Sequence, residues 1–203
     1  MNNTYFNSRA AAWDDNPVRI ENARRIAAAI RAQLPFSQTW TALEFGCGTG
    51  LISRELLPGL GSILAVDLSS GMIEQLQKRI EEDGMKNIKA RCLNILTHPP
   101  TGTVDLIFSS MALHHVPETG LLLDALTAQL NPGGFIALAD LDSEDGKFHD
   151  EEAGPVHHGF NRAELMQRLR DRGCEAVAAV TANTIRKNGR DYPVFLITAR
   201  KAA

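Results

Sequence analysis

The chain has 203 residues, of which 44% are hydrophobic and 22% charged, and this balance predicts one globular domain over residues 1–203. Its net charge is -3 and it has no long block of Lys and Arg, so nucleic acid is not the expected partner, since neutralising phosphates needs a basic face. The three cysteines form no CxxC pair and the first residues lack the apolar run of a signal peptide or membrane span, so we expect a cytoplasmic protein without disulfides.

The first half of the chain alternates between helical and strand patterns. Apolar residues recur at three- and four-residue spacing over the first predicted helix, and short apolar runs ending in polar residues indicate the strands. The predicted elements are a helix over 17–34, a strand over Thr41–Phe45, a helix over Thr49–Leu57, a strand over Ser62–Val66, a helix capped by Ser69 and a strand over Ile88–Leu93.

The second half continues this alternation and ends in a hairpin. Its predicted elements are a strand over Val104–Ser109, a helix over Leu121–Leu130, a strand over Phe135–Leu141, a helix capped by Asn161 and strands over Ala176–Val180 and Val194–Thr198. The last two strands flank Asn188-Gly189, and this connection is too short for a helical crossover. We therefore expect an α/β, Rossmann-like, doubly wound and mostly parallel seven-stranded sheet, with an antiparallel last strand and helices on both faces.

The loops after the first two strands carry the strongest chemical signal. In an open parallel sheet, ligands bind beyond the carboxyl ends of the strands. Glycines alternate along Gly46-Cys47-Gly48-Thr49-Gly50, which lets a ligand lie directly against the backbone. Asp67 follows Gly46 by 21 residues, and a carboxylate at that point can accept both hydroxyls of a ribose.

These two features also suit a nicotinamide or flavin dinucleotide, so spacing must decide between the ligands. The dinucleotide fingerprint is GxGxxG, whereas this chain has GxGxG with Leu51 at the position of the third glycine. Glu44, two residues before the first glycine, suits a ligand with an ammonium group better than one with a pyrophosphate. The pattern therefore favours a nucleoside ligand that carries an amine.

Four ordered motifs, LEFGCGTG, AVDLSSGMIEQ, VDLIFSSMALHHV and LNPGGFIALAD, resemble those of class I S-adenosylmethionine-dependent methyltransferases. The chain is most similar to the small methyltransferases related to those of ubiquinone and menaquinone biosynthesis. The resemblance spans about Ala42 to Asp140. It implies S-adenosylmethionine as the cofactor.

The resemblance also implies a role for individual residues. Gly46, Cys47 and Gly48 match the loop under the methionine part of the cofactor, and Glu44 matches the residue that engages its amino group. The remaining matches cover the nucleoside and the sulfonium: Asp67 on the ribose, Leu68 and Met72 against the adenine, Asn94 and the backbone amide of Ile95 on the adenine edge, and Ser109 at the sulfonium end. Asn94 stands where the family most often has Asp, but its carbonyl can accept the same hydrogen bond.

Aromatic and histidine residues are the candidates for the methyl-acceptor pocket. Tyr5, Phe6 and Trp13 lie in the expected N-terminal lid and helix, residues 1–35, and either close over the cofactor or pin this segment to the core. The histidine candidates are His115 after the fourth strand and His157 and His158 in 142–160, the expected substrate-side loop; for His114 and His115 a structural role is favoured. A metal site from His149, Asp150, Glu151, His157 and His158 matches no known spacing, so we expect no metal.

The sequence therefore predicts in-line transfer of a methyl group to a small-molecule acceptor. The expected contribution of the protein is to align the reactants and to exclude water, with His157, His158 or His115 as candidate bases. Two alternatives remain open at this point: a non-catalytic module that binds S-adenosylmethionine or S-adenosylhomocysteine, and a nicotinamide-dependent oxidoreductase. The acceptor and the oligomeric state are not specified by these motifs.

Overall fold

The structure is a computed structural model that describes residues 3–149 and 154–203. Six α-helices and seven strands alternate along much of the described chain. The helices are α1 (Asn3–Arg9), α2 (Pro17–Gln33), α3 (Leu51–Leu56), α4 (Ser70–Glu82), α5 (Thr119–Ala128) and α6 (Arg162–Arg170). The strands are β1 (Thr41–Phe45), β2 (Ser62–Asp67), β3 (Ile88–Cys92), β4 (Val104–Ser110), β5 (Leu130–Leu141), β6 (Cys174–Lys187) and β7 (Arg190–Lys201).

The strands form one sheet in the order β3-β2-β1-β4-β5-β7-β6. The first five strands run parallel to one another, and β7 is antiparallel to both β5 and β6. Strands β1 and β4 are adjacent in the sheet. After β1 the chain continues to β2 and β3 on one side, and after β4 it continues to β5 on the other side, so the strand order reverses between β1 and β4. The predicted fold class is confirmed, and the reversal point is where an open α/β sheet forms its ligand crevice.

Hydrophobic cores lie on both faces of this sheet. On one face, Ile26 and Ile30 of α2 and Leu76 of α4 pack in a core that includes Ala42 of β1. On the other face, buried leucines of α5 and α6 pack in a core that includes Leu43 and Phe45. Successive residues of a strand point to opposite faces, so both faces of β1 must be apolar where helices cover them.

Three strand predictions are too short. The fifth strand begins at Leu130 rather than Phe135, because Pro132-Gly133-Gly134, which predicts a turn before the strand, is accommodated within it by a shift of register against β4. The final hairpin also extends well beyond the predicted strands, up to its turn at Asn188 and Gly189. Both turn residues have positive φ, of 52° and 77°, which suits a tight two-residue hairpin turn. The added parts of these strands carry polar side chains. These side chains do not prevent the pairing, because hydrogen bonds between backbone groups join the two strands.

The N-terminal segment is helical, which the sequence did not predict. Residues of α1 and of a 3-10 turn at Ala10–Asp15 precede α2, and only Ala10 among them is buried. The segment therefore lacks the apolar stripe on which a prediction from periodicity depends. It is held instead by contacts with α4.

The stretch between β5 and α6 is irregular, as expected, in its described residues. A single bridge joins Asp142 to Phe160, and Arg162 donates two hydrogen bonds of 2.6 Å to the carboxylate of Asp142. These contacts return the chain to the sheet edge before α6 begins. Within residues 3–149 and 154–203, no helix has the length and apolar character that crossing a membrane requires.

Removing the side-chain cap of α6 should destabilise the fold by about 1 kcal/mol. The Asn161 side-chain oxygen accepts hydrogen bonds from the backbone N–H groups of Ala163 and Glu164, at 2.9 and 3.2 Å. We expect Asn161→Ala to lower the free energy of unfolding in urea, whereas Asn161→Asp keeps the acceptor and retains stability. Equal stability of the two variants would contradict this role for Asn161.

Candidate functional site

A cavity of about 430 Å³ lies at the carboxyl ends of the parallel strands. Its walls come from the ends of β1, β2 and β4, from the N-terminal segment and from the loop after β5. The residues that line the cavity include Phe6, Trp13, Arg19, Glu44, Gly46, Cys47, Gly48, Asp67, Met72, Ser110, Met111, Ala112, His114, His115, Phe148 and His149. The volume falls in the range of small-molecule sites in proteins.

The loop after β1 is shaped by close approach of the loop after β4. Gly46 has a φ of 66°, and a Cβ atom built on it would overlap with the Cβ atom of Ala112. Gly48 also has a positive φ, of 52°, but a Cβ atom there would meet nothing within 4 Å. Gly46 is therefore required by both its conformation and its neighbour, whereas Gly48 is required by conformation alone.

Glu44 is a buried carboxylate on the cavity wall. It is 2% exposed, and it accepts a hydrogen bond from the hydroxyl of Ser53 on α3. Burial, together with the smaller effect of the nearby Asp67, raises the pKa of Glu44 to about 8, although the Ser53 hydrogen bond opposes the rise. A carboxylate in this environment favours a cationic partner, which would stabilise its ionised form.

Asp67 is the second buried carboxylate on the same wall. One of its oxygens accepts from the backbone N–H of Gly48 and the other from that of Ser69, both at 2.8 Å. Burial raises the pKa of Asp67, although these backbone donors oppose the rise. A carboxylate has about four acceptor positions, so Asp67 keeps capacity for two hydroxyl donors from a ligand.

The N-terminal segment covers this part of the cavity. The side-chain oxygen of Asn7 accepts from the hydroxyl of Ser69 and from the backbone N–H of Gly71, at 2.6 and 3.0 Å. Asp14 accepts from the hydroxyl of Thr49 at 2.6 Å and also pairs with Arg79. Polar contacts thus fasten the segment to the glycine loop and to the start of α4.

Aromatic side chains of the segment reach the opposite wall. The ring of Phe6 packs edge-on against His115, with 5.1 Å between ring centroids, and also contacts Trp13. The guanidinium of Arg19 lies 3.7 Å from the ring centroid of Trp13. These contacts bring Trp13 and His115, two predicted pocket residues, to the same cavity.

Three histidines form the wall beyond the loop after β4. The ring centroids of His114 and His115 are 4.2 Å apart, and those of His114 and His149 are 4.4 Å apart. His114 donates from Nδ1 to the buried carboxylate of Asp140, at 2.6 Å. Burial, reinforced by the neighbouring His114 and His149, lowers the pKa of His115 to about 3, so His115 is neutral at physiological pH.

Most of the predicted cofactor residues lie on the cavity wall, and four do not. Glu44, the glycine loop, Asp67 and Met72 line it, whereas Leu68, Asn94, Ile95 and Ser109 lie outside the wall. Ser109 is fully buried and donates from its hydroxyl to the carbonyl of Phe45 at 2.8 Å, so the cavity is lined by Ser110 instead. The reason is strand alternation, which turns neighbouring side chains of β4 to opposite faces.

The two predicted histidines of the loop after β5 are also absent from the wall. The ring of His157 hydrogen bonds with the carbonyl of Val116 at 3.0 Å, and His158 is mostly exposed beside Glu144. Asp150 and Glu151, two members of the metal group considered above, lie outside the described residues. In the described part of the chain, no three His, Cys, Asp or Glu side chains are grouped as a metal ion requires.

Several wall residues were not predicted as cofactor or acceptor contacts, among them Arg19, Met111 and His149, which the sequence offered only as a metal ligand. Met111 has a φ of 54°, a conformation that disfavours side chains, and its N–H donates to the carbonyl of Ala139 at 2.9 Å. No local pattern marks such residues. The pairing of His114 with Asp140 could have been found, because β4 and β5 are adjacent parallel strands whose carboxyl ends meet.

The donor and acceptor groups fit a small ligand with a cationic amine and vicinal hydroxyls. Two buried carboxylates face the cavity, and a backbone without side-chain bulk lies between them. Cys47 offers no nucleophile, because burial raises the pKa of its thiol well above the ordinary value. The groups on this wall are therefore suited to holding a ligand rather than to attacking it.

Comparisons with known proteins agree with this geometry. Residues 42–134 match the family described as "Methyltransferase domain". A protein named as an uncharacterised methyltransferase of Schizosaccharomyces pombe is 30% identical over 133 residues, which cover 58% of this chain and 46% of that protein. The biotin biosynthesis bifunctional protein BioCD of Bordetella avium is 33% identical over 141 residues, covering 67% of this chain and 28% of that protein. The chain thus spans about half the length of these relatives or less.

Solved structures show the same fold. The N-methyltransferase NodS of Bradyrhizobium japonicum, in complex with S-adenosyl-L-homocysteine, superposes with a TM-score of 0.77 over 100% of this chain and 99% of its own. The two sequences are only 18% identical, so this likeness concerns the fold.

Alanine substitutions in the glycine loop should distinguish two contributions to stability, namely the steric contact with Ala112 and the positive φ of each glycine. We expect Gly48→Ala to lower the free energy of unfolding by about 1 kcal/mol through its positive φ. Gly46→Ala should lower it by about 2 to 4 kcal/mol, because overpacking adds to the same strain. Adding Ala112→Gly to Gly46→Ala should recover part of the loss in urea unfolding. No recovery would show that the contact with Ala112 is not the cause.

The raised pKa of Glu44 predicts a pH-dependent stability difference. Its folded pKa of about 8 exceeds the ordinary value of 4.5, so the folded state favours the protonated acid. The resulting stability is fully present below pH 4.5 and is lost as the pH rises through about 8.

Glu44→Gln carries no titrating group, so it should not lose stability in that window. We expect the unfolding free energy of the variant minus that of the original chain to increase between pH 5 and pH 9, by a few kcal/mol. Urea unfolding at several pH values measures this difference. A difference that stays constant with pH would contradict the burial effect.

Proposed function

Since the chain carries a domain of the methyltransferase family, we propose that it transfers a methyl group from S-adenosylmethionine to a small-molecule acceptor. The observation that carries this proposal is the pair of buried carboxylates, Glu44 and Asp67, on one cavity wall with the glycine loop between them. The GxGxG spacing and the match to the methyltransferase family favour this cofactor over a dinucleotide.

Each carboxylate would hold a different part of the cofactor. Glu44 would bind the ammonium group, which keeps its carboxylate ionised, and Asp67 would accept hydrogen bonds from the ribose hydroxyls. The backbone of the glycine loop would lie against the methionine part, and Met72 would pack on the adenine. These assignments are the ones that the resemblance implies, and the charge and hydrogen-bonding capacity of Glu44 and Asp67 support them.

The segment after β3 would complete the adenine end. Its Leu93 N–H donates to the carbonyl of Asp67 at 3.0 Å, so this segment adjoins the ribose site. Leu68 and Asn94 would then border the base outside the closed part of the cavity. The side-chain oxygen of Asn94 already accepts from the N–H of Leu96 at 2.9 Å, and one lone pair remains for the adenine amino group. The N–H of Ile95 would face the base edge.

S-adenosylmethionine supplies an activated methyl group on a sulfonium, so the protein itself need not create the leaving group. The chain's contribution is to orient the acceptor and to exclude water. Phe6, Trp13 and the fastening contacts of Asn7 and Asp14 serve this second purpose as a lid. The cavity of about 430 Å³ must hold part of the cofactor together with the acceptor, which favours a small molecule.

Calorimetric titration with S-adenosylmethionine, S-adenosylhomocysteine and NADH tests the cofactor. We expect the first two to bind and Asp67→Asn to weaken both by about 10-fold to 100-fold, because a charged hydrogen-bond acceptor is lost. Asp124→Asn is the matched control, since Asp124 is an exposed carboxylate on α5 that pairs with Arg172. Binding of NADH alone would instead indicate a nicotinamide-dependent oxidoreductase.

Formation of S-adenosylhomocysteine in the presence of pooled small metabolites tests catalysis. We expect turnover that depends on the metabolites and that Asp67→Asn reduces. Tight binding of S-adenosylmethionine without any turnover would indicate a binding module rather than an enzyme.

A further inference from the structure

The wall opposite the glycine loop contains a buried imidazole–carboxylate pair that cofactor binding does not use. The side chains of His114 and Asp140 are 1% and 0% exposed. His114 belongs to the cavity wall, and Ala112, two residues earlier, lies against Gly46 of the glycine loop. The pair therefore lies on the side of the site where an acceptor would meet the methionine end of the cofactor.

Asp140 fixes which ring nitrogen of His114 carries the proton. Its carboxylate accepts from Nδ1 of His114 at 2.6 Å and from the backbone N–H groups of Leu141 and His114, at 2.8 and 3.2 Å. A carboxylate oxygen accepts hydrogen bonds, so its pairing with Nδ1 of His114 places a ring proton on that nitrogen. The ring lone pair is then on Nε2.

Nε2 of His114 has no hydrogen-bond partner in the described structure although it is buried. A buried polar atom without a partner is rare and needs an explanation, such as a ligand that supplies one. His114 lines the cavity and its Nδ1 is used by Asp140, which leaves Nε2 as the ring atom that a molecule bound there would have to partner.

We propose that His114 is the general base of the reaction, that Asp140 positions it, and that the acceptor presents a neutral hydroxyl group. This proposal rests on the proposed methyl transfer and names the class of its acceptor. A hydroxyl group needs a base because its oxygen is a poor nucleophile until it loses its proton. Acceptors that are already ionised, or that have no proton to lose, would gain nothing from this residue.

The step balances in atoms and charge. Nε2 of His114 takes the hydroxyl proton while the acceptor oxygen forms a bond to the methyl carbon. The bond between this carbon and sulfur breaks, and its electron pair remains on sulfur. The positive charge of the sulfonium is thus replaced by that of the imidazolium, which the carboxylate of Asp140 stabilises.

The other ring groups facing His114 are less suited to this role. His115, in the same turn, has its ring against the backbone of Gly154, and burial lowers its pKa to about 3, so it is a weak base. His149 packs on His114 from the loop after β5. In the part of the chain that the structure describes, these rings do not form a group that could hold a metal ion.

The protonation state of His114 can be measured without cofactor or acceptor. We expect ¹⁵N–¹H correlation spectra of the ligand-free chain at pH 7.5 to show His114 with the proton on Nδ1 and none on Nε2. Asp140→Asn should redistribute this proton, because the amide no longer requires a donor at Nδ1. A proton on Nε2 in the original chain would overturn the proposal, whether or not the chain binds S-adenosylmethionine.

The kinetic test uses S-adenosylmethionine with two phenols of similar size, 4-methylphenol, which is protonated at pH 7.5, and 4-nitrophenol, which ionises near neutral pH. His114→Asn keeps a donor for Asp140 and removes Nε2. We expect it to reduce kcat with 4-methylphenol by about 10²-fold to 10⁴-fold and with 4-nitrophenol by much less. Asp140→Asn should give the same selectivity with a smaller loss.

His115→Asn is the matched control at the adjacent position, and any loss it causes should be equal for the two phenols. Unchanged calorimetric affinity for S-adenosylmethionine shows that each variant is folded. Equal losses for both phenols in His114→Asn would overturn the proposal, as would transfer to amines or thiols but to no alcohol or phenol. In that last case the proposed methyl transfer would stand and only the base and the acceptor class would fail.

Discussion

The burial of two carboxylates side by side is the constraint on which the site depends. Glu44 lies near the end of β1 and Asp67 ends the adjacent parallel strand β2, and Asp67 raises the electrostatic cost of ionising Glu44. Hydrogen bonds from the Ser53 hydroxyl and from the backbone N–H groups of Gly48 and Ser69 offset only part of the cost of ionising these buried carboxylates. A ligand that brings a cation and hydroxyl donors would complete it, so the same burial that destabilises the ionised site favours binding.

The glycine loop and the N-terminal segment are consequences of that arrangement. Gly48 can donate its N–H to Asp67 because the loop turns through positive φ, and Gly46 allows the loop after β4 to approach. The segment before α2 then uses the remaining polar groups around the site: Asn7 binds Ser69, and Asp14 binds Thr49. Closing the cavity removes water from the carboxylates, which increases the strength of every charged interaction inside.

Features set by neighbouring residues could be predicted from the sequence, and features set by distant contacts could not. The strands were found because apolar runs mark burial on both faces, and the caps at Ser69 and Asn161 because capping is local. Helix α1 was missed because it is held by residues of α4 more than 60 positions away rather than by its own periodicity. The resemblance implies Ser109 whereas Ser110 lines the cavity, because motif position does not determine which way a strand residue points.

The ends of the cavity have complementary electrostatic roles in the proposed reaction. Glu44 and Asp67 provide negative charge where the cofactor brings a cation, and Asp140 provides it where the proton is received. The positive charge that leaves sulfur is therefore received on a ring that is paired with a carboxylate, so no isolated charge is created in a buried site. The low pKa of His115 fits this arrangement, because a second imidazolium beside His114 would oppose proton transfer to Nε2. A neutral hydroxyl acceptor meets these conditions, since its proton balances the charge that leaves sulfur.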